Sequence, residues 1–388
     1  MLEENIFQWQ IKILKNLVKI NSANIFTERL LEDSPYTPIE RDVANYIRDL
    51  LSDLGYSPKL IGISEFRPNV YCKIAEGDPK LIFNAHMDTV TPAKGWAQDP
   101  FTPVIRNNKL YGLGAVDNKS AISIMLLIAK LWDKIETNAG LELHFTVGEE
   151  VAGSHIFGSL YLTQRLNTKA DFCICFEPGT KGIRVGNMGF FRFMIETKGK
   201  AVHTGFSAWI KHGKGENAIV KMAEIAKRLG RIILPGEDPL FEHRRSCITF
   251  PTLIQGGSAI NIVPDKCVAF GDARLLPIHT KEDVIKEIEK RLEGIDYKLT
   301  EIRYLPGWKI DPNNKYVRLL QKVASERLGF IPSINGVGPA SEAYAYVSRG
   351  IPTVNFGPDG KAHIPNEFVD LESLRKVDEI ILDFLKTV

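Results

Sequence analysis

Apolar residues recur at helical spacing from Ile6 to Ile20 and again from Thr37 to Leu54, so the chain is predicted to open with two amphipathic helices. Short apolar segments then predict strands at Pro58 to Ile63 and Val70 to Ile74. The unbroken run Leu81 to Ala85 has the pattern of a strand buried on both faces of a parallel sheet. Thr102 to Arg106 and Lys109 to Gly112 flank Asn107-Asn108, residues that tolerate the positive φ of a tight turn, and so predict a hairpin. Ser120 to Trp132 is apolar nearly all round, which suits a helix buried against a sheet, and strands follow at Leu141 to Val147 and Asp171 to Phe176. After Lys181 the order becomes strand (Phe190 to Thr197), helix (Asn217 to Leu229), two strands (Cys247 to Ile254 and Cys267 to Leu275), helix (Lys281 to Leu292) and strand (Tyr297 to Tyr304). That order is the split βαβ of a ferredoxin-like module. A helix at Lys315 to Leu328, a strand at Thr353 to Phe356 and a helix at Leu371 to Leu385 resume the earlier style. The predicted fold is α/β, a mixed and mostly parallel sheet flanked by helices (residues 1–181 and 306–388), interrupted by an α+β insertion (residues 182–305) that would serve as a lid or an oligomerisation module.

Composition narrows the function. With 388 residues the chain is long enough for two domains of ordinary size. Lys and Arg number 49 against 47 Asp and Glu, so there is no field to recruit nucleic acid or an anionic membrane, and a small-molecule or peptide partner is expected. The start MLEENIFQWQ lacks the basic and apolar regions of a secretory signal, and the longest apolar stretch is too short to span a bilayer; a cytoplasmic location is expected. Cys72, Cys173, Cys175, Cys247 and Cys267 form no Cys-Xaa-Xaa-Cys pair and are read as small core residues.

The candidate chemistry lies at strand ends. His86 and Asp88 close the buried run at i and i+2, on one face, where a carboxylate can fix the tautomer of an imidazole that binds a metal. Open α/β sheets place their ligands at such carboxyl ends. Asp117 follows Gly112 and Gly114 at a strand-to-helix junction, in a spacing that lacks the third glycine of a dinucleotide fingerprint. Glu149-Glu150 and Glu177 end the next two strands, and His363 follows Thr353 to Phe356. His86, Asp117, Glu150, Glu177 and His363 thus offer two imidazoles and three carboxylates, a set suited to two divalent ions about 3.5–4 Å apart. Zinc is the first choice, and Glu149 is left free to act as a base.

His86-Met87-Asp88-Thr89-Val90, Trp96 with Asp99-Pro100-Phe101, Leu110-Tyr111-Gly112-Leu113-Gly114 with Asp117 and Lys119, Glu149-Glu150, Glu177-Pro178 and His363 together closely resemble the family of acetylornithine deacetylase, succinyl-diaminopimelate desuccinylase, aminoacylase and carboxypeptidase G. The resemblance runs from about residue 10 to the C-terminus. It implies a zinc-peptidase-type catalytic domain, two zinc ions that cobalt can replace, and an inserted lid that makes a homodimer. His86 and Glu177 would hold one ion, Glu150 and His363 the other, with Asp117 bridging, Asp88 orienting His86 and Glu149 as general base. In the lid, His203 resembles the histidine that reaches the partner's site to stabilise a tetrahedral intermediate, and Asn261 and Arg274 resemble positions that hold the substrate's carboxylate or scissile carbonyl. His144, His155, His212, His243 and His279 match nothing and are given no role.

Asn118 and Ser120 stand where the family usually has Asp-Met-Lys-Gly, in a segment whose first peptide is usually cis. Ser341-Glu342-Ala343 looks more like the Thr-Glu-Ala of acetylornithine and acetylcitrulline deacetylases than the Thr-Ser-Asp-Gly of desuccinylases, which assigns Ser341 and Glu342 to substrate binding and favours an N-acyl amino acid. The expected activity is amide hydrolysis on such a substrate, with desuccinylase, carboxypeptidase or dipeptidase as alternatives. A non-catalytic relative is the reading of another class; such a protein would have lost Glu149 or a ligand, and none is lost.

Overall fold

In the computed structural model, which describes residues 2–24, 37, 39–152 and 156–388, the amphipathic stretches at the start become α1 (Glu4–Lys19) and α2 (Arg41–Asp53). Leu14, Leu17 and Val18 of α1 and Val43, Ile47 and Leu51 of α2 are completely buried, which is the 3–4 residue spacing seen in the sequence. The chain continues through β1 (Lys59–Ile61), β2 (Asn69–Ala75), β3 (Lys80–His86), the hairpin β4 (Val104–Arg106) and β5 (Lys109–Tyr111), α3 (Lys119–Leu131), β6 (Gly140–Thr146), α4 (Glu149–Ala152), α5 (Ser159–Arg165), β7 (Phe172–Phe176) and β8 (Gly182–Asn187). Asn107 and Asn108 at the hairpin tip take φ of 49° and 58°, the left-handed turn their side chains tolerate.

The residues divide into two compact units, one of Met1–Val185, Ile310–Asn335 and Ser341–Val388, the other of Gly186–Lys309 and Gly336–Ala340. In the second unit β9 (Gly189–Lys198), α6 (Ser207–Ile210), α7 (Ala218–Leu229), β10 (Arg231–Ile233), β11 (Cys247–Gly256), β12 (Lys266–Leu275), α8 (Lys281–Arg291), β13 (Lys298–Leu305) and β14 (Trp308–Lys309) follow in turn. Its sheet runs β10-β11-β12-β9-β13, all antiparallel. Without the extra edge strand β10 this is the strand order of a split βαβ. Phe191, Phe193 and Ile195 of β9 alternate inward and share a core with Met222 and Ile225 of α7 and Val284 and Ile288 of α8. Asn217 caps α7 by accepting the amides of Ile219 and Val220, and Thr280 with Asp283 forms a capping box for α8. Gly336–Ala340 joins this unit although it lies far downstream: Met188 N donates to Val337 O (2.8 Å) and Asn187 Nδ2 to Pro339 O (2.5 Å). Such a five-residue return carries no periodicity that a sequence pattern could reveal.

The first unit resumes with α9 (Lys315–Leu328), β15 (Ser333–Val337), α10 (Ala343–Val347), β16 (Thr353–Phe356), β17 (Gly360–Lys361), β18 (Phe368–Asp370) and α11 (Leu371–Thr387). Its main sheet runs β1-β2-β6-β3-β7-β16-β8. β6, β3, β7 and β16 are parallel, while β1 and β2 on one side and β8 on the other are antiparallel. The sheet is therefore mixed, with its parallel character concentrated in the centre. Every residue of β7, and all of β3 after Lys80, is buried, as strands covered on both faces require. Each fully buried large apolar side chain there contributes roughly 1.5–3 kcal/mol. α3 lies against this centre and is buried from Lys119 to Ala129. A small antiparallel sheet, β4-β5-β18-β17, brings the hairpin beside the segment that carries His363. Among the described residues no helix is long and apolar enough to cross a membrane.

Candidate active site

The parallel strands of the first unit end side by side, and their last residues supply the candidate site. His86, the last residue of β3, is 1% exposed. Its Nδ1 lies 3.0 Å from the main-chain oxygen of Asp88 and 3.5 Å from the Asp88 carboxylate, so the nearer orienting group is the carbonyl. A proton on Nδ1 leaves Nε2 as the free lone pair, 3.0 Å from Asp117 Oδ1. The other oxygen of Asp117, Oδ2, lies 3.3 Å from Nε2 of His363, which is also 3.2 Å from Glu150 Oε1. One carboxylate thus faces an imidazole from each of its oxygens. Ligand atoms of His86, Asp117 and Glu150 all fall within 4.8 Å of one another, and the buried Glu177 Oε1 has no hydrogen-bond partner.

The titration behaviour of these groups describes a site crowded with anions. Burial pushes Glu177 up to about 8, with the Asp117 charge adding to it. Burial followed by the Glu177 charge holds Glu149 well above the usual carboxylate range, and burial followed by Asp117 raises Glu150. Burial alone would raise Asp117 too, but its hydrogen bonds to His363 and His86 outweigh that and keep it below the ordinary range. His363, half-exposed, is raised to about 11 by its bonds to Asp117 and Glu150. Burial lowers the His86 imidazole, yet Asp117 and Asp88 hold it well above its usual value. Divalent cations would relieve this mutual repulsion and give the orphaned Glu177 oxygen a partner, so the donor set fits two of them.

Asp88 does more than face His86. Its carboxylate accepts the amides of Glu149 (Oδ1, 3.0 Å) and Glu150 (Oδ2, 3.1 Å), so it caps the turn on which both glutamates sit. The Asp117-Asn118 peptide is cis. Asn118 donates from Nδ2 to the carbonyl of Phe176 (2.7 Å), tying the Asp117 loop to the end of β7, and Ser120 Oγ donates to Val116 O (3.0 Å). Lys119 is completely buried, with Nζ on the carbonyl of Ile20 (2.7 Å), and burial lowers it to about 7.

Glu367 belongs to no motif of the sequence. It is 1% exposed and accepts the amides of Val116 (3.2 Å) and Asp117 (3.3 Å), while burial and then the Asp117 charge push it up to about 8. Nothing local marks it: it lies in a turn some 250 residues from the loop it holds. Ser341 and Glu342, expected at the substrate, are placed in the interior. They are 3% and 1% exposed, Ser341 bonds Asn355 (3.0 Å), and Glu342 accepts the hydroxyl of Thr146 (2.6 Å) beneath the strand ends. They lead into α10, which packs against α5 and β16. His144 is likewise interior, 3.0 Å from the Tyr346 hydroxyl; His155 lies outside the described residues.

The candidates of the second unit stand in a different setting. His203 Nδ1 lies 3.0 Å from the amide of Gly205 and its Nε2 3.1 Å from Nδ2 of Asn261; a neutral ring accepts at one nitrogen only, so with Nδ1 accepting from Gly205 the proton on Nε2 requires Asn261 to turn its oxygen toward it. Its ring stacks on the exposed Phe206 at 4.9 Å. Arg274 pairs with Asp272 two residues earlier on the same face of β12 (2.7 Å) and keeps 42% of its side chain exposed.

The whole chain resembles known proteins. A succinyl-diaminopimelate desuccinylase of a Nitratiruptor species is 25% identical over 372 residues, 93% of this chain and 98% of that protein. The fold is similar to that of Sso-CP2, an M20 family metallo-carboxypeptidase from Sulfolobus solfataricus (TM-score 0.79, 19% identity, 99% of both chains). It is also similar to that of a Bacillus subtilis protein described as a dinuclear metal-binding peptidase of the M20 family (TM-score 0.69, 17% identity, 100% of both chains). A match to peptidase family M20/M25/M40 extends over residues 82–387, from within β3 to the end of α11, so the chain belongs to that family and is a metal-dependent hydrolase of amide bonds.

Proposed function

We propose that the chain hydrolyses the amide bond of an N-acyl amino acid at a centre of two divalent ions. His86 and Glu177 would hold one ion, Glu150 and His363 the other, and Asp117 both. The observation that carries this reading is the two-sided presentation of Asp117, with Oδ1 toward His86 and Oδ2 toward His363. The chemistry such ions supply is Lewis acidity, which polarises the amide carbonyl and brings the pKa of a water to about 7. Zinc is the first candidate and cobalt a substitute.

Glu149 is the general base: it takes the proton of the attacking water and delivers it to the leaving amine. Burial holds its carboxyl above the usual carboxylate range in the protein alone, and positive charge beside it would lower it and favour the ionised form that accepts a proton. Asp88 fixes the position of Glu149 through its amide and keeps His86 in the tautomer that presents Nε2. His203 is the donor to the developing oxyanion, acting in the site of a second copy within a homodimer formed through the inserted unit. The tautomer in which Nδ1 accepts from Gly205 is the one that gives His203 the Nε2 proton this role requires. Arg274 and Asn261 would meet the substrate's carboxylate and carbonyl.

Succinyl is the acyl group to test first. A relative carrying that activity aligns with 93% of this chain, and the residues that favour acetyl, Ser341 and Glu342, are buried. The test is a panel of succinyl-diaminopimelate, acetylornithine, acetylcitrulline and dipeptides, each assayed with zinc or cobalt added. Release of free amino acid from the acylated substrates, and fastest from the succinylated one, is expected. Cleavage of dipeptides alone would make the protein a peptidase, and no cleavage of anything with either metal would remove the catalytic reading.

A further inference from the structure

The turn that carries Glu149 and Glu150 is held through its backbone by side chains from three other segments. Val147 N donates to Asn69 Oδ1 (3.2 Å), Gly148 N to Glu40 Oε1 (3.1 Å), Glu149 N to Asp88 Oδ1 (3.0 Å) and Glu150 N to Asp88 Oδ2 (3.1 Å). The Glu149 and Glu150 amides open α4 and have no partner inside it, and those of Val147 and Gly148 precede it, so all four are satisfied by side chains from elsewhere. Gly148 sits at φ +76°, a conformation that suits glycine, and there the chain turns from the end of β6 into α4.

Glu40 is the unexpected member of this set. It precedes α2, lies 108 residues from Gly148 in sequence and is completely buried. Arg67, also buried, grips both of its oxygens, Nε to Oε2 at 2.6 Å and Nη2 to Oε1 at 2.5 Å, and lays its guanidinium over the Phe157 ring at 4.9 Å. Oε1 therefore takes two donors at once, Arg67 Nη2 and the Gly148 amide. A buried ion pair is a weak source of stability, because desolvation offsets most of the attraction and an apolar pair of similar volume often serves the fold as well. What an apolar pair cannot supply is a fixed acceptor. The turn needs one: the Gly148 amide stands at the bend from β6 into α4, and without Glu40 Oε1 the backbone just before Glu149 loses the bond that fixes it.

We infer that Glu40, locked by Arg67, is a positioning residue for Glu149, anchoring the Gly148 amide and so setting where the Glu149 carboxylate points. The inference rests on Glu149 being the general base. A misplacement of about 1 Å in such a group costs on the order of a hundredfold in rate.

Two double variants isolate the acceptor, since each removes both charges and leaves neither buried alone. Glu40→Gln/Arg67→Met keeps a carbonyl oxygen where Oε1 stands; Glu40→Met/Arg67→Met keeps the volume and loses the acceptor. With saturating zinc or cobalt, the Gln/Met protein should keep kcat within about threefold of the parent, whereas the Met/Met protein should fall about 10–100-fold in kcat with KM nearly unchanged and two equivalents of metal bound. Glu40→Asp, which keeps the charge opposite Arg67 but withdraws the acceptor by one methylene, is measured beside them in case the Met/Met protein does not fold, and should also lose about tenfold or more in kcat. Equal kcat in the two double variants, parent-level kcat in Glu40→Asp, or a loss that added metal restores would each overturn the inference. Glu149→Gln in the same series separates the two readings. If it retains turnover, the base assignment fails; if it is inactive while the double variants are equal, only the role of Glu40 fails.

Discussion

The two units present their candidate residues in opposite ways. In the first, every metal-ligand candidate other than His363 is at least mostly buried, and Asp88, Glu367, Asn118 and Glu40 tie its loops to segments far along the chain. In the second, His203 and Arg274 are only partly exposed and their contacts are local or with a neighbouring segment: Gly205, Asn261 and Asp272. The contrast reflects a division of labour. Groups that must hold charge at fixed separation are set in a rigid network whose long-range bonds resist reorganisation, and that preorganisation is where electrostatic catalysis gains most. On the proposed roles, His203 and Arg274 are instead held by a few local contacts that a substrate can exchange at small cost.

The widest separation between the two regions should appear with Glu149. Glu149→Gln is expected to lower turnover by about 10²–10⁴-fold while metal content stays near two equivalents by elemental analysis, because only the proton transfer is lost. Loss of both metals would move Glu149 from base to ligand. His363→Ala should shed one equivalent in preference to the other, and two full equivalents would contradict the ligand set.

His203→Ala should come next, with turnover reduced about 10²–10³-fold and a small change in KM, the behaviour of a donor engaged at the oxyanion stage. Mixing this variant with Glu149→Ala should restore activity, since a mixed dimer pairs one intact base with one intact lid histidine. Demonstrated subunit exchange without recovery would place His203 in its own subunit's chemistry, and a fully active monomer by light scattering would remove the dimer.

Arg274→Lys should act on KM rather than kcat, raising it roughly tenfold as the two-pronged contact is lost. A fall in kcat at constant KM would show that this partly exposed residue behaves like the buried network after all.

The smallest effect tests burial without catalysis, within the first unit itself. Asp378 is as buried as the site carboxylates but serves the fold: Gln10 Nε2 donates to its Oδ1 (2.8 Å), while Asp378 Oδ2 and Gln10 Oε1 have no partner. Burial holds this carboxyl well above its usual value. The folded state therefore keeps a proton that the unfolded chain releases, and stability falls as pH rises above the ordinary carboxylate range. Asp378→Asn keeps the acceptor and supplies a donor for Gln10. Its melting temperature should exceed the parent's by a few degrees at pH 8 and by less near pH 4, with kcat unchanged; a gain that does not depend on pH would show that Asp378 is ionised in the fold.

Local patterns along the chain were enough to locate many of the elements and to nominate the candidate chemistry at their ends. Apolar periodicity placed α1, β3, α3, β7 and the six elements of the inserted module within a few residues, and Asn107-Asn108 marked the hairpin, because spacing of 2 or 3.6 is a property written in consecutive residues. The five ligand candidates are legible for the same reason: each lies at or shortly beyond the end of a strand that the pattern reveals. Other features depend on the closed fold: which oxygen of Asp117 meets which histidine, the capping of the Glu149 turn by Asp88, and the inward direction of Ser341 and Glu342. So does the support that Glu367 and the Glu40–Arg67 pair give the site from 250 and 108 residues away. A lone glutamate in a loop has no period and no neighbour that reveals its partner. Its role comes into being only when the chain closes, because burial turns an ordinary carboxylate into a group that must find a donor, and which donor lies within reach is a property of the fold.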